Sequence, residues 1–320
     1  MARASNSAFA RTLLACMLGA LCLASAQAAE PVFPPGSRIG LTPPAGFLPS
    51  AHFHGFENPD RNASILTLEM PAGAYAAIEK AMTAAALKKQ GVTVERRETL
   101  PLKAGKGLLI VGRQEADGTR LRKWILIASA SDTTAMLTVQ IPEDSKTAYP
   151  DSAIRAALAS LTIRAVVPLD EQIGLLPFKM DDLAGLRPFR VVRSSAVFLT
   201  KGPNDTTEPA EQPLLMISVS SGGPERPGDR NEFARELLSG LSGFRDLHVV
   251  GTDLLRLNAM QTHEIMAEAK DYRSGTDLKL VQWLRFGSGG FVRLVGVASA
   301  RAWPDAFPRF RAVRDGVTPR

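Results

Sequence analysis

The chain is poor in the residue types that most often carry chemistry. It holds two cysteines, four histidines, three tryptophans and three tyrosines among 320 residues. Both cysteines, Cys16 and Cys22, fall within the first 28 residues. A chain cut behind that point has no disulfide, no thiol nucleophile and no cysteine metal site, and rests on its apolar core alone. Nowhere does an apolar run approach the roughly 20 residues of a membrane-spanning helix. Strong charge of one sign is missing too. Two of the 38 Lys+Arg and none of the 32 Asp+Glu lie in the first 28 residues, which leaves a surplus of four basic groups beyond them. So small a surplus reads as solubility, with no nucleic-acid partner.

Catalytic motifs are absent as well. His263-Glu264 opens like a zinc-protease helix, but Ala267 stands where the second histidine belongs, and the segment alternates like a strand. Gly240-Leu241-Ser242-Gly243 misses the spacing of a nucleophile elbow. Gly105-Lys106-Gly107 lacks the upstream glycine and the hydroxyl residue of a phosphate loop. The expectation is a non-enzymatic protein without a cofactor.

What is present begins at the N-terminus. Arg3 and Arg11 precede an apolar stretch from Leu13 to Ala26, and Ala26-Gln27-Ala28 offers small side chains where signal peptidase reads. That order is a secretory signal, and a run of about 14 residues is too short to span a membrane. Cleavage is expected after Ala28, with a periplasmic product. Lipid anchoring at Cys16 or Cys22 stays open, although neither cysteine sits in a well-formed cleavage box. The remaining chain, roughly 290 residues, is long enough for two cores.

Self-comparison supports two cores. Tyr149-Pro150-Asp151 is echoed by Trp303-Pro304-Asp305 at an offset of 154, and Trp124 by Trp283 at an offset of 159. Leu100-Pro101-Leu102 is echoed by Leu255-Arg256-Leu257 at an offset of 155. Phe56 and Phe198 each precede a turn cluster rich in Asn, Pro and Asp, at an offset of 142. Common order and near-constant offset argue for duplication. The expected division is a signal peptide at 1–28, a first repeat at 29–166 and a second at 167–320.

Each copy reads as an aromatic hairpin, a helix, a run of strands and a closing helix. Tyr75, Ile78, Met82 and Ala85 recur at helical spacing up to Gly91. Phe233, Leu237, Leu241 and Phe244 do the same in copy two, behind an Asp229/Glu232 capping box. The expected strands are 92–102, 107–114, 121–129 and 135–141, then 248–257, 262–269, 278–286 and 290–298. Asp117-Gly118 and Ser288-Gly289-Gly290 supply hairpin turns. Pro150 or Pro304 opens the closing helix at its first turn, where a proline costs nothing. The fold class is α+β: two tandem units, each a mostly antiparallel sheet flanked by helices. The long segment from Lys201 to Pro213 most distinguishes the second copy.

The hairpin ending in Pro44-Ala45-Gly46-Phe47, the helix from Tyr75 and the Tyr149-Pro150-Asp151 helix start carry a resemblance. Their order resembles the Mog1/PsbP-like fold, including the exported DcrB-like proteins, over nearly all of each half. The resemblance implies a binding, assembly or accessory protein and carries over no site residues.

Two sets of side chains invite a site. His52-Phe53-His54 would place two imidazoles on one strand face near Glu57, a partial zinc or copper set. Arg301, Arg309, Arg311 and Arg314 surround Trp303, and Arg120, Arg122 and Lys123 adjoin Trp124. An arginine-rich closing helix could rest on an anionic lipid or wall polymer. The plainer reading turns its aromatics to the sheet and its arginines to water, because copy one has Ile154, Leu158 and Leu161 there. The leading expectation is therefore a periplasmic accessory protein that binds an envelope protein or a small ligand. Peripheral contact with an anionic membrane surface and metal binding through His52 and His54 are the alternatives.

Overall fold

The computed structural model describes residues 30–320 apart from 104, 117, 131, 258 and 259. The expected signal segment with Cys16 and Cys22, and Asp117 of the expected turn, lie outside the described residues. The chain forms two compact units. Among the described residues, one holds 30–34 and Arg38–Arg164, the other Pro35–Ser37 and Ala165–Arg320.

Unit 1 is a seven-stranded antiparallel sheet in the order β2-β3-β4-β8-β7-β6-β5. The strands are β2 (Leu48–Pro49), β3 (Gly55–Asn58), β4 (Ala63–Pro71), β5 (Val92–Leu102), β6 (Gly105–Ala116), β7 (Thr119–Ser129) and β8 (Thr133–Pro142). A separate pair joins β1 (Ile39–Gly40) to β9 (Thr162–Ile163). Alternation along each strand sends one set of side chains to each face. Phe56, Ile65, Leu109, Trp124 and Val139 face helix α3 (Asp151–Ala159), whose Ile154 and Leu158 complete that core. Burying each such side chain contributes about 1.5–3 kcal/mol. Helices α1 (Ala74–Ala81) and α2 (Ala84–Lys89) lie on the other face, where Leu87 meets Leu108, Ile110, Ile125 and Ile127.

Unit 2 repeats this plan with the order β11-β12-β13-β17-β16-β15-β14. The strands are β11 (Arg187–Val192), β12 (Ala196–Thr200), β13 (Leu214–Ser221), β14 (Phe244–Leu257), β15 (Met260–Asp271), β16 (Asp277–Gly287) and β17 (Gly290–Ser299). Short α4 (Leu169–Gly174) leads in, and β10 (Phe178–Met180) pairs with the terminal β18 (Val317–Pro319). Helix α6 (Trp303–Gly316) covers the first face, and α5 (Arg230–Ser239) covers part of the second.

The α+β class and the run of strands agree with the sequence reading, and several local details differ. The helix from Tyr75 is two helices, because the chain breaks at Met82–Thr83 and the Thr83 side chain accepts a hydrogen bond from the Ala86 amide. Asp229 makes no capping hydrogen bond. It ends a 3-10 turn with helical dihedrals, and an N-cap needs an extended residue to aim its oxygen back at the amides. Phe244 opens β14 instead of extending the helix face. Pro150 precedes α3 instead of lying in its first turn, whereas Pro304 does lie inside α6. Residues 51–54 form bends, so His52 and His54 do not share a strand face.

Candidate functional site: a cleft on the second unit

Ladder register aligns the two sheets on their buried tryptophans. Trp124 stands opposite Val111 and Val139, and Trp283 opposite Glu264 and Leu294. One residue further along, a row crosses the second face of each sheet. In unit 1 it runs Leu48, Glu57, Ser64, Gln140 over β2, β3, β4 and β8. In unit 2 the same row runs Arg190, Phe198, Met216, Val295 over β11, β12, β13 and β17. Three polar positions have become apolar, and the leucine at the outer end has become arginine. The same register shows that Phe56 matches Val197, so Phe56 and Phe198 lie on opposite faces of their sheets.

In unit 2 this row floors a cleft of roughly 640 Å³. Helix α5 packs on the β15–β16 half of the face through Ala234 and Leu238, and leaves the β12–β13–β17 half uncovered. The segment 201–213 forms one wall and the turns at 241–244 and 271–274 the other. Arg187 fastens the first wall at its root, donating to the Gly202 and Pro203 carbonyls and pairing with Asp205 at 2.6 Å. Buried Gln212 donates to the Asn204 carbonyl across the loop. A Cβ at Gly202 would lie 1.8 Å from the Gln212 amide oxygen, so the tight closure requires glycine there.

The opposite wall is equally fastened. The Asp271 carboxylate accepts from the Arg273 and Ser274 amides and the Ser274 hydroxyl at 2.7–3.0 Å. The Ser274 amide is the chief reason its pKa lies below the ordinary value, so the turn stays ionised and closed. Tyr272 N–H donates to the Gly243 carbonyl, and Arg273 bridges to Glu208 of the first wall at 2.8 Å. Two rim charges, Arg190 and Glu211, have no ion pair among the described residues. Among the described residues no histidine or lysine lines the cleft, which offers shape, apolar contact and a few fixed charges for binding. Its volume falls within the roughly 300–1,000 Å³ of small-molecule sites.

The side chains singled out in the sequence are scattered. Trp124 is fully buried in unit 1, donates to Asp151 at 2.8 Å and lies under the Arg122 guanidinium. Trp303 is buried in unit 2 against Phe307 and Phe310. Arg301 and Arg311 are exposed. Arg309 pairs with Asp305 and donates to the Ala184 carbonyl, and together with Lys201 it holds the Asp305 carboxyl down at about 2. Arg314 is only 3% exposed and faces Glu264 at 3.5 Å across the Trp283 ring. The closing helix therefore turns one of its arginines into the core. His52 and His54 are exposed, and Glu57 accepts from the Ser50 hydroxyl at 2.8 Å. Among the described residues no group of three or more His, Cys, Asp or Glu could hold a metal ion. No helix among them is long and apolar enough to cross a membrane. The cleft floor was not visible in the sequence, but the extra length from Lys201 to Pro213 was.

No protein-family model matches the chain, and no curated protein does. Solved structures similar to it include LpqN of Mycobacterium tuberculosis, involved in cell envelope biogenesis, at 14% identity over 44% of this chain and 82% of that one, with a TM-score of 0.35. Another is the immunity protein TplEi of Pseudomonas aeruginosa, at 12% identity over 91% and 96%, with a TM-score of 0.29. PsbP of Synechocystis, a protein of the fold that the element order resembles, is 8% identical over 44% of this chain and 95% of its own length, with a TM-score of 0.28.

Proposed function

We propose that this chain is an exported, non-enzymatic accessory protein that works by binding, with the unit 2 cleft as its ligand site. Export rests on the signal pattern ending at Ala28, which gives a product beginning at Ala29 in the periplasm. The observation that carries the binding reading is the exchange along one sheet row. Glu57, Ser64 and Gln140 in unit 1 give way to Phe198, Met216 and Val295 in unit 2, where a cleft opens above them. A concave apolar surface rimmed by fixed polar groups is the usual form of a ligand site.

Native mass spectrometry on protein matured in a periplasm tests the reading. The polypeptide mass is expected to start at Ala29, and an additional ligand mass is expected to accompany it. Phe198→Gln, on a half-buried side chain, is expected to lose that mass with unchanged circular dichroism. A ligand-free mass for the parent protein, together with hydrogen exchange around 201–213 that envelope extract does not alter, would count decisively against the cleft.

A further inference from the structure

We infer that the cleft takes an amphiphile with an acyl-like apolar body and a single acidic head, and that Arg190 receives the head. The inference rests on the cleft being a binding site and goes on to name the chemistry of its occupant. Arg190, Phe198, Met216 and Val295 are consecutive register partners on four adjacent strands. Neighbouring strands lie about 4.8 Å apart, so the row is a straight track of about 14 Å. Three apolar side chains lie in line, and a guanidinium stands at the outer end.

Among the described residues Arg190 is the cleft cation without an ion pair, and it stands on the floor row itself. Arg273 is committed to Glu208, and Asp271 is held by its own turn. Glu208 is neutralised by Arg273. Glu211 is carried on the wall segment 201–213 instead of the floor. A ligand lying on the floor thus meets a guanidinium first and hydrocarbon afterwards. An arginine fork suits a carboxylate or a phosphate, and a charge-assisted pair of this kind is about twice as strong as a neutral hydrogen bond. In unit 1 the order is reversed, with Leu48 at the outer end and polar side chains behind it, so that unit is built for no such ligand.

The test uses the mature full-length chain, calorimetric titration with dodecanoate and with dodecanol, and sedimentation with phosphatidylglycerol vesicles. Dodecanoate is expected to bind one to one. Arg190→Gln, an exposed site where folding is not at stake, is expected to weaken it about tenfold or more. Dodecanol is expected to bind parent and variant alike. Sedimentation with vesicles that Arg190→Gln abolishes would assign the head to a phospholipid, and dodecanoate binding without sedimentation would assign it to a free acid. Dodecanoate that fails to bind, or binds Arg190→Gln as tightly as the parent, overturns the inference. If protein from the periplasm then still carries a mass that Phe198→Gln removes, the cleft reading survives with a different occupant. If it carries none, both fall.

Discussion

Unit 1 and unit 2 share a strand order, a closing helix and a buried tryptophan, yet they differ in which rows of the sheet are polar. In unit 1 the middle of the face under α3 is apolar, with Glu98 and Arg122 toward its margins, and the polar row Glu57, Ser64, Gln140 lies on the second face. In unit 2 the second face carries the apolar floor beside Gln282 and Arg293, which donate to α5, and the centre of the face under α6 holds ions. Glu264 occupies the place of Val111 and Arg285 that of Leu126. Arg314 precedes Pro319 by the same interval as Leu158 precedes Ile163, their strand partners being Phe178 and Ile39. The difference teaches that this sheet tolerates exchange of whole rows, provided each buried charge finds partners. Arg285 donates to the Val317 and Arg314 carbonyls, and Trp283 donates to Glu264 at 2.6 Å. The compensation is incomplete, because Arg285 Nε and Thr262 Oγ1, register partners on β15 and β16, are buried without hydrogen bonds.

The largest way to break the comparison is to empty that cluster. Arg314→Leu leaves Glu264 without its cation and is expected to cost unit 2 about 3–5 kcal/mol in urea unfolding. Adding Glu264→Val and Arg285→Leu gives unit 2 the unit 1 residues, and stability is expected to return to the parent level or above. A triple variant weaker than Arg314→Leu alone would show that the ions contribute net stability.

A smaller effect appears in acid, where carboxyls held low in unit 1 act alongside Asp271 and Asp305 of unit 2. Arg155 hydrogen-bonds Glu98 and holds its carboxyl below the ordinary 4.5. Burial pushes the Asp151 carboxyl up, but hydrogen bonds from Trp124 and Arg96 outweigh it and leave Asp151 below 3.8. Both depressed values mean stability that is present above the unfolded pKa and lost as pH falls through the folded one. Unit 1 is expected to weaken below about pH 4.5, and Glu98→Gln to flatten that dependence. Thermal scans from pH 5 to pH 3 would check it, and an unaltered slope in the variant would discard it.

Unit 2 adds one group that titrates at a higher pH. His263 stands where unit 1 has Ile110, against Phe286, and burial followed by the nearby Arg230 lowers its pKa. A histidine held neutral in the fold protonates more readily once unfolded, so its contribution is present above about pH 6.5 and lost as pH falls. His263→Ile is expected to remove the pH 7 to pH 5 part of the dependence and leave unit 1 untouched. The smallest effect concerns the exposed histidines. His52→Ala with His54→Ala is expected to shift stability by less than about 0.5 kcal/mol, with the same melting temperature with and without zinc.

Strands were the most legible part of the sequence, because alternation over ten residues leaves little freedom in register or length. The ends of β5 at Val92 and Leu102 could be read directly. Helix punctuation was less legible. Apolar periodicity ran through Met82 while the backbone broke there, and Asp229 had a capping pattern without the dihedrals that make it work. The cleft was least legible. Arg190 and Val295 lie 105 positions apart and meet one row only through two intermediate strands. Arg314 misled for a related reason, since its core partner Glu264 is on a strand read from the sequence only as alternating.

One small feature bears on how such a chain arises. In each unit the first and last strands are partners: Ile39–Gly40 with Thr162–Ile163, and Phe178–Met180 with Val317–Pro319. Entrance and exit therefore lie side by side, about one strand spacing apart. A gene segment encoding such a unit can be copied head to tail and joined by a few residues without pulling either copy open. The same geometry makes each unit a natural candidate for circular permutation, with new ends cut in an exposed hairpin turn, such as 288–289 in unit 2, and the old ends sealed by a short turn.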